Sequence, residues 1–279
     1  MNRFLPRIDL SAQSTVFMEA IMGPLGDILN GLVKRGDHIL VHTAAGDLLR
    51  ALGCTPDDVI AELQTLVGQS GALIFPTFNW GWLNGECFDD ARTPSQMGVV
   101  TEVARKLSTV RSGHPVYSFC ALGADVEEYA IDNASAYGPS SPFTVLEEHD
   151  AKVLIINMPW THAMTAFHWV EECNRVPYRF YKRFTGDYIA RTDAGRRVSQ
   201  TRDYFMYVRR ISQGVVTNVG HVEPAMIEKR LASKVELANI PMTLVSIREF
   251  RNFVEAGLNA NPSYLHTINE PSGQDSPGN

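Results

Sequence analysis

Two periods alternate along the first half of the chain, and this restricts the fold more than any other feature. Apolar residues at helical spacing give way repeatedly to short unbroken apolar runs of strand length. Leu25, Ile28, Leu29, Leu32 and Val33 recur at helical intervals behind Pro24, with Gly36 as a stop signal. Residues 38–43 then read as a buried strand. Thr55-Pro56-Asp57-Asp58 sets a capping hydroxyl before a proline and two first-turn acids, which predicts a helix ending near Gly68. A strand over 71–77 follows. Thr93-Pro94 reads as a helix start running toward Leu107, 116–122 as a strand, Ser141-Pro142 as another helix start, and 153–157 as a strand. Such alternation predicts an α/β fold with three layers, α/β/α, around a mostly parallel central sheet.

The second half reads differently. Residues 178–190, a turn at Thr192-Asp193-Ala194-Gly195 and the stretch from Arg196 predict an antiparallel excursion. Helices are expected from Glu223-Pro224 to Leu231 and from Ser246 to Ala256. No Ser/Gly/Pro-rich linker and no internal repeat divides the chain, so one domain is expected over 1–265. Residues 266–279, polar and rich in Pro and Gly, are expected as a disordered tail.

Composition removes several function classes. The 279 residues carry a net charge of −6 with no block of Lys or Arg able to track a phosphate backbone, so no nucleic-acid partner is expected. No run approaches the ~20 apolar residues that span a bilayer, and the first ten residues, with Arg3, Arg7 and Asp9, do not resemble a signal peptide. Cys54, Cys87, Cys120 and Cys173 form no C-x-x-C pair, which argues against a zinc ribbon or a disulfide framework and fits a reducing cytoplasm. A homo-oligomer is left open.

Three segments can carry chemistry. The first runs from Pro159 to Glu172, directly after a strand end, where open α/β sheets bind ligands. If 163–174 is helical, Thr165, His168, Glu171 and Glu172 share one face. A carboxylate beside an imidazole orients the ring and raises its basicity, so His168 can take a proton from an attacking amine or thiol. An ordinary surface ion pair would use the same two residues. The second segment, Arg111-Ser112-Gly113-His114-Pro115-Val116-Tyr117-Ser118-Phe119, sets a cation and hydroxyls around a strand start, suited to phosphate or pantetheine groups, or merely a polar loop. The third, Thr77-Phe78-Asn79-Trp80, puts aromatic faces past a strand end, suited to a sugar ring or to a core wall.

No metal is expected: His162 and His168 are six apart, off the one-turn spacing of H-E-x-x-H, and no Asp-rich cluster accompanies them. Phosphate-loop and G-x-S-x-G signatures are missing.

The ordered series Val41-His42-Thr43, Ala72 to Phe78, Phe88-Asp89, Thr93 to Gly98, Arg111-Ser112, His114-Pro115, Ser118-Phe119, Gly138 to Pro142 and Thr165-x-x-His168-x-x-Glu171 resembles the aminoglycoside 3-N-acetyltransferase family over roughly 36–178. The resemblance implies direct acyl transfer from acetyl-CoA, used as co-substrate, to a small-molecule amine. It assigns His168 as general base with Glu171 as its companion. It implies donor contacts at Thr43, Arg111, Ser112, Gly113, His114, Tyr117, Ser118 and Phe119, and acceptor contacts at Thr77, Phe78, Asn79, Trp80 and Glu172. Where the family carries hydroxyls after its His-Thr, this chain has Ala44-Ala45-Gly46-Asp47-Leu48. The stretch Val176 to Gly186 is similar to members associated with surface-polysaccharide synthesis, which points to an amino sugar rather than an antibiotic as acceptor, with an aminoglycoside as the family's other acceptor class. Arg179, Lys182 and Arg183 would suit a diphosphate. Two readings from other classes use the same residues: a metal-dependent amidohydrolase built on His162, His168 and Glu172, and a non-catalytic CoA- or sugar-binding protein.

Overall fold

The computed structural model describes residues 23–191 and 197–269. The expected turn at Thr192-Asp193-Ala194-Gly195 and the stretch beyond Asn269 lie outside the described residues, as does the segment before Gly23.

A short helix, α1 (Pro24–Leu29), leads into β1 (His38–Thr43), buried at every position. α2 (Gly46–Leu52) and α3 (Pro56–Val67) follow. The start of α3 is what the sequence predicts: Thr55 Oγ1 accepts from the Asp58 amide while the Asp58 carboxylate accepts from the Thr55 amide. Next come β2 (Ala72–Pro76), the short β3 (Phe88–Asp89), α4 (Val99–Leu107), β4 (Val110–Arg111), β5 (Phe119–Gly123), α5 (Pro142–Glu148) and β6 (Lys152–Ile156). Two short helices, α6 (Trp160–Ala163) and α7 (Ala166–Cys173), precede a long hairpin of β7 (Arg179–Arg191) and β8 (Arg197–Arg209). The described chain closes with β9 (Val215–Thr217), α8 (Val222–Glu228), β10 (Ala232–Leu237), β11 (Ile240–Ser246), α9 (Ile247–Ala260) and β12 (His266–Ile268).

The central sheet has the order β10-β11-β6-β1-β2-β5-β4. β1 pairs in parallel with β2 and β6, and the outer neighbours pair antiparallel. In direction, β10, β6, β1, β2 and β4 run one way and β11 and β5 the other, so the sheet is mostly parallel. Its two faces are separate cores. Ile39, Val41, Leu73, Phe75 and Leu154 pack against α1 to α4, while Leu40, Ile74, Val153 and Ile155 pack against α5, α7 and α9. The period-two alternation of strand side chains produces this split and hence the three layers.

Four expectations are corrected. The helix expected from Thr93 begins only at Val99, because Thr93 is held in a loop: its hydroxyl accepts from the Asp89 amide and its carbonyl from Arg111. The helix over 163–174 is interrupted between α6 and α7. Strand β5 starts at Phe119, not 116, since Val116 and Tyr117 give their amides to His114 Nδ1. The tail boundary at 265 falls on an ordered strand, for β12 pairs with β9. The sequence reading also passed over β10 and β11, whose hairpin turns at Ala238 and Asn239 with φ of 51° and 62°. Among the described residues no helix is long and apolar enough to cross a membrane.

Candidate active site

A cleft of about 890 Å³ opens at the carboxyl ends of β1, β2 and β6, where open α/β sheets hold their ligands. The end of β1 supplies His42 and Thr43, and the chain leaving β2 supplies Phe78 and Trp80. Met97 and Gly98, just before α4, form a third side. Tyr117 and Tyr137 stand near α7, which contributes His168, with Thr165 just ahead of it.

His168 is 40% exposed at its side chain, whereas Glu171 behind it is 2% exposed. Nδ1 lies 3.1 Å from Glu171 Oε2. Where Nδ1–H donates to that carboxylate, Arg179 Nη2, 3.2 Å from Nδ1, stands beside the ring as a charge and not as a donor to it, and the lone pair falls on Nε2, which has no hydrogen-bond partner among the described residues. The carboxylate is not a bare charge. Arg179 Nη2 reaches Glu171 Oε2 at 2.8 Å and the Tyr178 hydroxyl donates to Oε1 at 3.0 Å. Burial works to raise the Glu171 carboxyl, but the hydrogen bond from His168 and the charge of Arg179 outweigh it and hold the group below the usual carboxylate range.

Glu172, one residue on, is turned away. It accepts from Ser135, and burial raises its carboxyl. It is not among the residues that line the cleft. Nor does it join His162 and His168 as a ligand set: among the described residues no group of three or more His, Cys, Asp or Glu side chains is gathered to hold a metal ion.

Of the expected donor residues, Thr43 and Tyr117 line the cleft and the rest do not. Arg111 is committed to its own protein, through Nε to Ser118 Oγ at 3.0 Å, Nη1 to the Thr93 carbonyl at 2.6 Å and Nη2 to the Thr77 carbonyl at 2.8 Å. Burial and the nearby charge of Arg105 lower it to about 10. Ser112 Oγ accepts from the Phe119 amide, and Phe119 is core. Gly113 gives its amide to Ile131, while Ser118 bonds the Thr77 carbonyl. His114 accepts two backbone amides on Nδ1 and bonds the Phe205 carbonyl, and burial lowers it to about 3. These residues brace the loops around the cleft without facing it.

Among the expected acceptor residues, Phe78 and Trp80 line the cleft. Thr77 is buried beneath Arg111, and Asn79 bonds the Pro94 carbonyl at 2.9 Å beside a smaller pocket.

Sequence reasoning missed His42 as a cleft residue in its own right. Its Nε2 lies 3.4 Å from Thr165 Oγ1, and burial lowers it to about 4, so it is neutral near pH 7. Tyr137, whose ring is 5.5 Å from that of His168, was missed as well. Arg179, expected at a diphosphate, is buried against Glu171, while Lys182 and Arg183 further along β7 are exposed.

A family model described as aminoglycoside 3-N-acetyltransferase matches residues 40–259. Aminoglycoside N(3)-acetyltransferase IV of Salmonella sp is 33% identical over 159 residues, covering 55% of this chain and 59% of that protein. Aminoglycoside N(3)-acetyltransferase VII of Streptomyces paromomycinus is 29% identical over 167 residues, covering 51% of this chain and 56% of that one. The matches thus span little more than half the length of these curated relatives. Among solved structures, AAC-IIIb in binary complex with CoASH aligns at TM-score 0.71 and 24% identity, over 89% of this chain and 97% of that one, a likeness of fold. A histidine-to-alanine variant of aminoglycoside acetyltransferase AAC(3)-IVa, in complex with a gentamicin, aligns at TM-score 0.69 and 25% identity over 88% of this chain and 90% of that one.

Proposed function

The chain belongs to the aminoglycoside 3-N-acetyltransferase family, and from that premise we propose that it is an acetyl-CoA-dependent N-acetyltransferase acting directly on the amine of an amino sugar or aminoglycoside, with His168 as general base. One observation carries the reading: the His168 ring lines the cleft at the carboxyl ends of β1, β2 and β6 while its Nδ1 is held by the buried Glu171 carboxylate. The complexes of fold relatives with CoASH and with gentamicin support the two substrate classes.

The cleft suits a pantetheine arm, which alternates apolar carbons with amides. Thr43 Oγ1 is buried without a hydrogen-bond partner among the described residues, and the apolar Ala45 and Met97 line the same cleft. Trp80, 39% exposed, is available to stack on a sugar ring, whereas Phe78, packed edge-on against Tyr117 and Phe119, is a wall of the core behind it. The acceptor ammonium first loses one proton to solvent, and its nitrogen attacks the thioester carbonyl carbon. As the C–N bond forms, the second proton passes to His168 Nε2, while Glu171 holds Nδ1–H and with it the orientation of the ring. The C–S bond then breaks and the thiolate takes that proton from His168, giving the amide, free CoA and a neutral imidazole.

The test is a thermal-shift titration with acetyl-CoA, then a thiol-release assay over amino sugars and aminoglycosides, with and without chelator. Stabilisation by acetyl-CoA and amine-dependent, chelator-insensitive thiol release are expected. Binding without release from any amine would favour a non-catalytic binding protein, and chelator-sensitive amide hydrolysis a metal-dependent amidohydrolase.

A further inference from the structure

Resting on that reading, we propose that Arg179 is a positioning residue for His168: its guanidinium fixes one oxygen of Glu171 against the ring and offsets the field of that carboxylate at the imidazole. The local fold brings these groups together. After α7, Arg175 adopts φ of 47°, the Val176 amide returns to the Glu171 carbonyl at 3.2 Å and the Arg179 amide to the Val176 carbonyl at 3.3 Å. This reversal sets the first residue of β7 against the middle of the helix before it.

Arg179 is 7% exposed. Nη1 donates to the Tyr207 carbonyl at 3.0 Å, and Nη2 lies 2.8 Å from Glu171 Oε2 and 3.2 Å from His168 Nδ1. Nε has no partner among the described residues, so the group is held at its forked end, by Glu171 and one carbonyl. A cation this deeply buried needs its counter-charge, and the two charges meet at the ring nitrogen that does not take the substrate proton.

A lone carboxylate beside an imidazole favours the protonated ring, and a ring already protonated cannot serve as a base. A carboxylate paired with a guanidinium still accepts the Nδ1 hydrogen and still sets the tautomer, while the guanidinium opposes its field at the ring. Other groups near His168 differ in kind. Tyr137 is a neutral phenol, Tyr178 and the His266 stacked on it at 3.8 Å lie behind Glu171, and Glu172 is turned to Ser135. His42 is neutral and is reached through the Thr165 hydroxyl, while His162 and Asp47 lie elsewhere on the cleft.

The NMR arm of the test needs no identified substrate, and the kinetic arm uses whichever amine supports thiol release. In histidine-labelled protein the His168 ring signal, assigned by its loss in His168→Ala, is followed by NMR across pH, alongside the acid limb of kcat/KM for thiol release. Arg179→Gln is expected to move the midpoint and the limb upward by about one pH unit, close to a tenfold loss of kcat/KM on that limb. Glu171→Gln is expected to move both downward, and Arg179→Lys, which keeps the charge, to restore most of the Arg179→Gln shift. The double variant, with neither charge, should return within a few tenths of a unit of the parent. A folded Arg179→Gln protein with an unmoved or lowered midpoint overturns the inference. Should that variant not fold, a double variant displaced as far as Glu171→Gln alone overturns it equally. Thiol release that is absent or independent of His168, with midpoints moving as stated, sinks the acetyltransfer reading and leaves the charge compensation standing. Release that depends on His168 with unmoved midpoints sinks only the compensation.

Discussion

The Arg111 guanidinium meets the Thr77 carbonyl at 2.8 Å, joining β4 to the chain that leaves β2 for the aromatic wall of the cleft. The same side chain caps the Thr93 carbonyl, so one cation holds both loops in place. Arg111→Ala would leave the Thr93 carbonyl without its donor and only Ser118 on the Thr77 carbonyl, each lost charged hydrogen bond costing ~1.5–3 kcal/mol. The expected outcome is a loss of at least ~3 kcal/mol in unfolding free energy by urea titration. If Arg111 instead gripped a phosphate of the donor, stability would hold and only the KM for acetyl-CoA would rise.

At the far end of β5 the backbone is equally committed. Gly123 has φ of 121°, and a Cβ there would stand 2.3 Å from the Gly71 carbonyl oxygen. Gly123→Ala therefore combines a disfavoured conformation with a clash against backbone, and a cost of ~2 kcal/mol or more is expected. The site is remote from the cleft, so activity per folded molecule should not change. An unchanged urea midpoint would contradict the geometry.

Two neutral buried imidazoles give stability a pH dependence of definite sign. Burial lowers His42 to about 4 and His114 to about 3, whereas both titrate near ~6.5 in the unfolded chain. The folded values are the lower ones, so as pH falls below ~6.5 the unfolded chain takes up protons that the folded one refuses. The stability they confer is complete above that pH. It is lost as pH falls toward about 4 for His42 and about 3 for His114, at ~1.4 kcal/mol per pH unit for each. Urea midpoints should be level from pH 8 to 7 and fall between 6 and 5, and His114→Asn should make that fall shallower. An equal slope in the two proteins would place the acid sensitivity elsewhere.

What could be read from the sequence was whatever local chemistry decides. The Thr55-Pro56 start holds because its acceptor and donor are three residues apart, and the His168–Glu171 pair because one helical turn joins them. The same cap signal at Thr93-Pro94 misleads, since the Thr93 hydroxyl is claimed from behind by the Asp89 amide. Arg111 to Phe119 carries the residue types of an anion loop, but partners from β2 and its exit consume them, and spacing alone does not show that. Arg179 was legible only as a cation on a strand, because its pairing with Glu171 depends on a chain reversal. His42 meets Thr165 across 123 residues of sequence, beyond the reach of any local pattern.

The sharpest test of the proposed chemistry is the imidazole itself. General-base assistance contributes ~10²–10⁴ in rate, so His168→Ala should lower turnover at least ~100-fold. The ring is one of many cleft groups and is not needed to seat the donor, so acetyl-CoA should still stabilise the variant by nearly the parent shift. That combination, reduced kcat with donor binding kept, separates loss of a proton acceptor from collapse of the cleft, which would remove both. The measurement is thiol release at saturating donor and amine, with thermal shift run on the same preparations. Equal turnover in the two proteins would remove His168 from the chemistry and leave its bond to Glu171 a structural contact.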